Sequence, residues 1–252
     1  MVALVIALVG GGIAYAAFTG DDDTQASASG ATGTTDQPTG ATGATANSNT
    51  VEPQPGPADV ACGGTEPEDA TKPKPQFSEP GQVLKEGTTY MAEMRTSCGT
   101  IVIELLADRA PETVNSFVFL AEKGFFDGQR FHRLDTSIDV IQGGDPTATG
   151  TGGPGYSIPD ELTGDESYGP GVLAMANSGP DTGGSQFFLI TGDAGHNLDA
   201  NPAYTIFGMV VKGLDFARRI QQLPIQDPSA GISGQQPTKS VYIEKVTIRE
   251  SG

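Results

Sequence analysis

Histidine, cysteine and tryptophan are nearly missing from this chain: 252 residues hold two histidines, two cysteines and no tryptophan. His132 and His196 have no His, Cys or carboxylate at a recognised ligand spacing, and no GxSxG occurs. A metal centre or a serine-hydrolase triad needs a histidine with clear partners, so both chemistries are set aside and the two histidines read as structural or surface groups. Bases are scarce as well, 14 against 31 acids for a net charge of −17. The excess runs through the whole chain, with 10 acids against 2 bases up to Pro80 and 21 against 12 after it. Nucleic acid and anionic lipid surfaces both call for basic patches, which this composition does not supply. The acidity reads as a solubilising surface.

What is present divides the chain in two. Residues 1–18, MVALVIALVGGGIAYAAF, carry no charge and are long enough to cross a bilayer core as a helix at about 1.5 Å per residue. They read as a transmembrane anchor, or as a secretory signal segment, since Ala14-Tyr15-Ala16 also fits a small-residue cleavage pattern. Asp21, Asp22 and Asp23 follow without Lys or Arg, which suits the outer side of a membrane. The expected location is the cell membrane with the folded part on the extracytoplasmic side, or the exterior if the segment is removed. From residue 19 to 80 the chain is Thr, Ala, Gly, Ser, Pro and acid, with Val51, Val60 and Phe77 as rare large apolar side chains. Such a composition predicts a disordered linker. Cys62 and Cys98, an even pair in an exported chain, are read as one disulfide rather than as metal ligands or a redox motif, the alternative being two unpaired thiols.

Residues 81–252 form the folded domain. Ile101, Ile103 and Leu105 alternate over Thr100–Leu106 and predict a strand. Further strands are expected at 130–134, 138–142, 172–176, 186–190, 205–211 and 241–248. Pro111 opens a helix that runs to Lys123 and ends at Gly124. A second helix is expected at 214–223, stopped by Pro224. Many strands with two helices predict a mainly β fold, a closed antiparallel barrel capped by two α-helices. Residues 150–155, GTGGPG, satisfy GxGxxG. A phosphate cradle needs a helix to start at its last glycine, and Tyr156-Ser157-Ile158-Pro159 cannot start one. No nucleotide site is expected.

The remaining motifs are FHRL at 131–134, VIQGGDP at 140–146, GTGGPGY at 150–156, GVLAMANSGPDTGGSQFFLIT at 171–191 and YTIFGMVV at 204–211. In this order and spacing they resemble the cyclophilin family of peptidyl-prolyl cis/trans isomerases, in particular exported actinobacterial members, over about Thr89 to Ile248. The resemblance implies an eight-stranded antiparallel barrel with a helix over each open end and a shallow site on its outer surface. It places the catalytic arginine at Arg133 and groove glutamines at Gln142 and Gln186. The peptide-binding loop falls on Ala176 and Asn177, and the proline pocket on Val140, Phe188 and Leu198, with Tyr204 where many eukaryotic members have histidine. No cofactor or metal is implied. The partners implied are proline-containing unfolded or flexible polypeptides, together with the membrane through the N-terminal segment. The expected reaction is non-covalent isomerisation of Xaa-Pro bonds in exported polypeptides. The alternative is a catalytically weak module that holds proline-containing segments of a partner.

The chain departs from the family pattern in its pocket. Asp139 stands where an aromatic residue usually lines the pocket, unless a one-residue insertion after Leu134 shifts the register and brings Ile138 there instead. Val140 replaces a larger methionine. Asn197 occupies the position beside Leu198 where the family carries a tryptophan that helps hold cyclosporin. Weak inhibition by cyclosporin is therefore expected in a peptide isomerisation assay, and nanomolar inhibition would contradict this reading.

Overall fold

A computed structural model describes residues 50–251. The apolar segment 1–18 and the first part of the expected linker, 19–49, lie outside the described residues. In chain order the strands are β1 (Thr50–Val51), β2 (Lys74–Pro75), β3 (Thr89–Thr96), β4 (Gly99–Leu105), β5 (Arg133–Asp135), β6 (Val140–Gly143), β7 (Val172–Met175), β8 (Phe187–Ile190), β9 (Ile206–Lys212) and β10 (Ile243–Ser251), with helices α1 (Pro111–Glu122) after β4 and α2 (Leu214–Gln221) after β9. β1 and β2 pair with each other, and the other strands form one eight-stranded antiparallel sheet in the order β10-β3-β4-β9-β7-β8-β6-β5.

The sheet curls towards a barrel without closing as one, which corrects the expected closed barrel. Its edge strands β5 and β10 share no ladder. The segments leading into them meet along a seam, at a single bridge, Arg130 with Tyr242, and through backbone bonds such as Phe131 N to Val241 O at 2.9 Å.

The curled sheet has two apolar sides because successive strand residues face opposite ways. Its inner side packs Tyr90, Met94, Ile101, Ile103, Leu173, Leu189 and Phe207 against α1 through Val114, Phe117 and Leu120. Phe117, Phe126, Phe131 and Phe187 meet there, Phe117 stacked on Phe126 at 4.8 Å and Phe187 edge-on to the other three. The outer side carries a second, smaller apolar cluster that includes Val140, Ala174, Phe188, Ile190 and Leu198. Strand β3 escapes sequence reading because Ala92 in its buried row and Met91 in its outward row blur the alternation. Its even positions Tyr90, Ala92, Met94 and Thr96 are all buried.

Both helices lie where expected to within two residues. Pro111 sits in the first turn of α1, and the Glu161 carboxylate accepts from the first-turn amides of Glu112 at 3.0 Å and Thr113 at 2.8 Å. That is a cap supplied from far along the chain, complementing the positive helix end. Gly124, with φ of +65°, turns the chain out of the helix in a conformation costly for other residues.

The expectation of a disordered linker out to residue 80 does not hold for residues 50–80, which form a strap across the seam. Ala61 N donates to Ser240 O at 2.9 Å and Ser240 N to Asp59 O at 2.8 Å, while Ala61 is fully buried. Lys74 is buried, and its ammonium donates to the carbonyls of Asp69 and Asp127. Gly128 packs so closely that a Cβ there would lie 2.3 Å from the Asp69 carbonyl carbon. Phe77 meets Phe119 edge-on at 5.0 Å. The strap needs few large apolar residues because backbone and polar side-chain bonds hold it, and composition alone cannot register those.

A disulfide joins Cys62 in the strap to Cys98 in the β3–β4 turn, 36 residues apart in sequence. Replacing both by serine should lower stability by about 3 to 4 kcal/mol, the loop-closure entropy regained by the unfolded chain. Urea unfolding of the variant against the oxidised parent measures it; equal midpoints would contradict the role given to the bond.

Candidate active site

Strand register builds the site. Arg133 pairs with Gln142 across β5–β6, Gln142 with Phe188 across β6–β8, and Phe188 with Ala174 across β8–β7. Paired residues in adjacent strands project to the same face about 5 Å apart, so these four side chains form a row on the outer surface. The adjacent row, Leu134, Ile141, Leu189 and Leu173, faces the core. The two phenylalanines divide as alternation requires: Phe187 is in the core and Phe188 in the outer cluster.

Around this row lies one pocket, lined by Arg133, Ile138, Val140, Gln142, Ala176, Asn177, Phe188, Leu198 and Tyr204. Gln186 is the one residue of the expected set outside it. It borders an adjoining polar groove with Gly150–Pro154, Ser157, Asn177, Ser178 and Thr182, and it acts behind Gln142. Gln142 Nε2 donates to Gln186 Oε1 at 3.0 Å, and Gln186 Nε2 donates to the carbonyls of Gly150 and Gly152 at 3.0 and 2.9 Å. The glycine-rich 150–155 segment is thus a loop tied to the site by its carbonyls, and no helix follows it.

The pocket wall resolves the register left open by the sequence. Asp139 adopts a φ of +50°, its carbonyl accepts from Thr191 N at 2.8 Å and its carboxylate from Ala194 N at 2.9 Å. The acid therefore points into the 191–194 loop, and Ile138 lines the pocket. On the far wall Phe188 meets Tyr204 edge-on at 5.1 Å. Tyr204 is held by Tyr168, whose hydroxyl donates to Tyr204 O at 2.9 Å and accepts from Tyr204 N at 3.1 Å. Burial raises the pKa of both tyrosine hydroxyls, that of Tyr168 to about 12. The Asn177 side chain is spent internally, donating to Ala203 O at 2.7 Å and fixing the loop that carries Tyr204.

Arg133 is the charged group of the pocket. Its Nε donates to Gln235 Oε1 at 2.7 Å, Nη1 to Gln142 Oε1 at 2.8 Å and Nη2 to Asp135 Oδ2 at 2.5 Å. Burial pulls its pKa down and the Asp135 carboxylate chiefly opposes this. Sequence reading missed Asp135 and Gln235. The first was detectable, since Arg133-Leu134-Asp135 on a strand puts both charges on one face; the second lies about a hundred residues away. Ser167, His196 and Asp199 also come together, but serine and carboxylate both approach His196 Nδ1, at 3.4 and 2.8 Å. A hydrolytic triad needs them on opposite ring nitrogens.

A model of the family "Cyclophilin type peptidyl-prolyl cis-trans isomerase/CLD" matches residues 91–248. Among curated relatives, a probable peptidyl-prolyl cis-trans isomerase B of Mycobacterium leprae is 39% identical over 67% of this chain and 60% of its own length. Peptidyl-prolyl cis-trans isomerase-like 1 of Mus musculus is 43% identical over 53% of this chain and 85% of its own. The matched part thus spans less than two thirds of the mycobacterial relative. A crystal structure of a Cryptosporidium parvum cyclophilin type peptidyl-prolyl cis-trans isomerase superposes with a TM-score of 0.57 at 29% identity, covering 65% of this chain and 99% of that one. The same C. parvum protein has also been solved in the presence of the dipeptide Ala-Pro. The chain belongs to the cyclophilin-type peptidyl-prolyl cis-trans isomerase family.

His132, next to Arg133, is buried with neither ring nitrogen hydrogen-bonded, and desolvation lowers its pKa from 6.5 to about 4. Above pH 6.5 both folded and unfolded chains hold it neutral; as pH falls towards 4 only the unfolded chain takes up the proton, at a cost to stability of about 3 kcal/mol. His132→Gln should remove that part of the acid loss. Thermal unfolding from neutral pH down to about pH 4 checks it; parallel curves for the two proteins would refute the assignment.

Proposed function

We propose that this chain catalyses cis/trans isomerisation of Xaa-Pro bonds in exported polypeptides, with Arg133 as the catalytic group. The observation that carries the reading is a buried guanidinium at the edge of an apolar pocket formed by Ile138, Val140, Phe188, Leu198 and Tyr204. Support comes from the relative solved in the presence of Ala-Pro, a dipeptide that contains the ring such a pocket would take.

The chemistry needs no covalent step. Amide resonance imposes a barrier of about 20 kcal/mol and makes uncatalysed exchange take tens of seconds or longer. In the planar amide the nitrogen lone pair is delocalised onto oxygen; in the twisted transition state it is free to accept a hydrogen bond. A donor to that lone pair acts only on the twisted form, which is the condition for lowering a barrier. Arginine suits the role because it stays charged and carries its donors in a rigid fork. One charge-assisted hydrogen bond is worth roughly 1.5 to 3 kcal/mol, or about ten- to more than a hundredfold in rate. Phe188, Leu198 and Val140 would bury the proline ring and fix one side of the bond while the other turns. The apolar walls further disfavour the more dipolar planar amide.

The rival reading, a catalytically weak binding module, would gain from an Asp139 carboxylate standing inside the pocket. That carboxylate bonds to Ala194 N instead, which supports the catalytic reading over the rival. An extracytoplasmic location is supported by the apolar segment 1–18 and by the Cys62–Cys98 disulfide, a bond that persists in oxidising compartments. NMR exchange on a short Ala-Pro peptide tests the activity. Arg133→Ala should slow exchange by about ten- to a hundredfold with peptide binding retained; binding by the parent without accelerated exchange would overturn the proposal.

A further inference from the structure

We infer that Asp135 is a positioning residue for the isomerisation, setting the plane of the Arg133 guanidinium at the proline pocket; this rests on the Arg133-centred reading above. A guanidinium has five N–H donors in one plane. Here each nitrogen is held by a different partner: Nε by Gln235, Nη1 by Gln142 and Nη2 by Asp135. Three fixed points define a plane, and one donor is left on each of Nη1 and Nη2 to face a substrate.

Asp135 differs from the two glutamines in charge and in how firmly it is itself held. Its Oδ1 accepts from Ser137 N at 2.9 Å and from Ser137 Oγ at 2.6 Å, while Oδ2 takes the arginine. The carboxylate is therefore anchored at Oδ1 by Ser137 while Oδ2 holds Arg133. Side-chain exposure is 9% for Arg133 and 7% for Asp135, so the pair lies largely out of water. Without the aspartate the arginine would be a buried charge lacking its counter-ion, and the side chain would swing towards solvent, away from the pocket. Strand geometry makes the pairing possible: residues two apart on β5 share a face, so the carboxylate flanks the guanidinium along the strand, opposite Val140 of β6.

The test is a two-by-two set of chains, parent, Asp135→Leu, Arg133→Ala and the double variant, with kcat and KM for a proline peptide measured by NMR exchange. In the Arg133 background Asp135→Leu should lower kcat by on the order of ten- to a hundredfold, with KM changed far less. In the Arg133→Ala background it should cost nothing further, because a positioning residue with nothing to position has no effect. Asp135→Asn, nearly the same shape, keeps one acceptor for Nη2 and should fall between parent and Asp135→Leu, which covers the case in which leucine does not fold. A spectroscopic signature accompanies this: the Arg133 Nη protons should be resolved in the parent and averaged by rotation in the Asp135 variants. Unchanged kcat and unchanged Nη signals in Asp135→Asn and Asp135→Leu would overturn the inference while leaving the arginine mechanism intact. An equal loss in both arginine backgrounds would reduce Asp135 to a structural group. Full activity in Arg133→Ala alone would instead remove the mechanism and the inference with it.

Discussion

The site depends on a single shared register through β5, β6, β8 and β7. The pairings of Arg133 with Gln142, Gln142 with Phe188 and Phe188 with Ala174 put a charge, an amide, an aromatic ring and a small residue side by side on the outer face. A slip of one residue in any of these strands would turn its functional side chain into the core and bring a leucine or isoleucine out. The aromatic core guards against this. Phe187 is wedged among Phe117, Phe126 and Phe131, and exchanging it with Phe188 would empty that cluster. The interior therefore specifies the surface.

An arginine in such surroundings needs compensation for lost water, and the chain supplies it by connection. The network runs from Asp135 through Arg133 to Gln142, on to Gln186, and ends on the carbonyls of Gly150 and Gly152. Every junction is a side-chain bond between groups already fixed by strands or by a loop's backbone. This is how a polar network in a low-dielectric setting becomes rigid instead of costly. It also links the apolar pocket to the polar groove beside it, since Gln186 belongs to both the relay and the groove wall.

Much of this was legible in the sequence where a residue's role follows from local pattern. Helix α1 with its proline start, the alternation in β4 and the paired Phe187 and Phe188 are of that kind. The pocket motifs placed Arg133, Gln142 and Phe188 on strands that the structure brings together. Long-range information was not legible. Gln235 reaches Arg133 across about a hundred residues, and Glu161 caps α1 from nearly fifty residues on. The failure to close the barrel depends on where β5 and β10 end relative to each other, which no local pattern encodes. Asp139 shows the opposite limit. Its identity was evident, yet its direction hung on one left-handed residue, a conformation that aspartate tolerates better than most.

The strap has a mechanical consequence. Residues 50–80 enter the domain at the seam between β5 and β10, and Cys62 is bonded covalently to the β3–β4 turn. Tension arriving along the chain ahead of Thr50 would first peel the short β1–β2 pair, would then load the bonds that Gln54, Pro57 and Asp59 make at the seam, and only after these would be carried by the disulfide into the longest hairpin of the sheet. The strands bearing the pocket row, β5, β6, β8 and β7, lie at the other end of the strand order. Ahead of Cys62, however, Gln54 N donates to Thr147 O at 3.1 Å and the Arg130 guanidinium to Gln54 O at 2.7 Å, so a pull on the chain is felt at the groove-side loop and at the lead into β5 as well as at the disulfide.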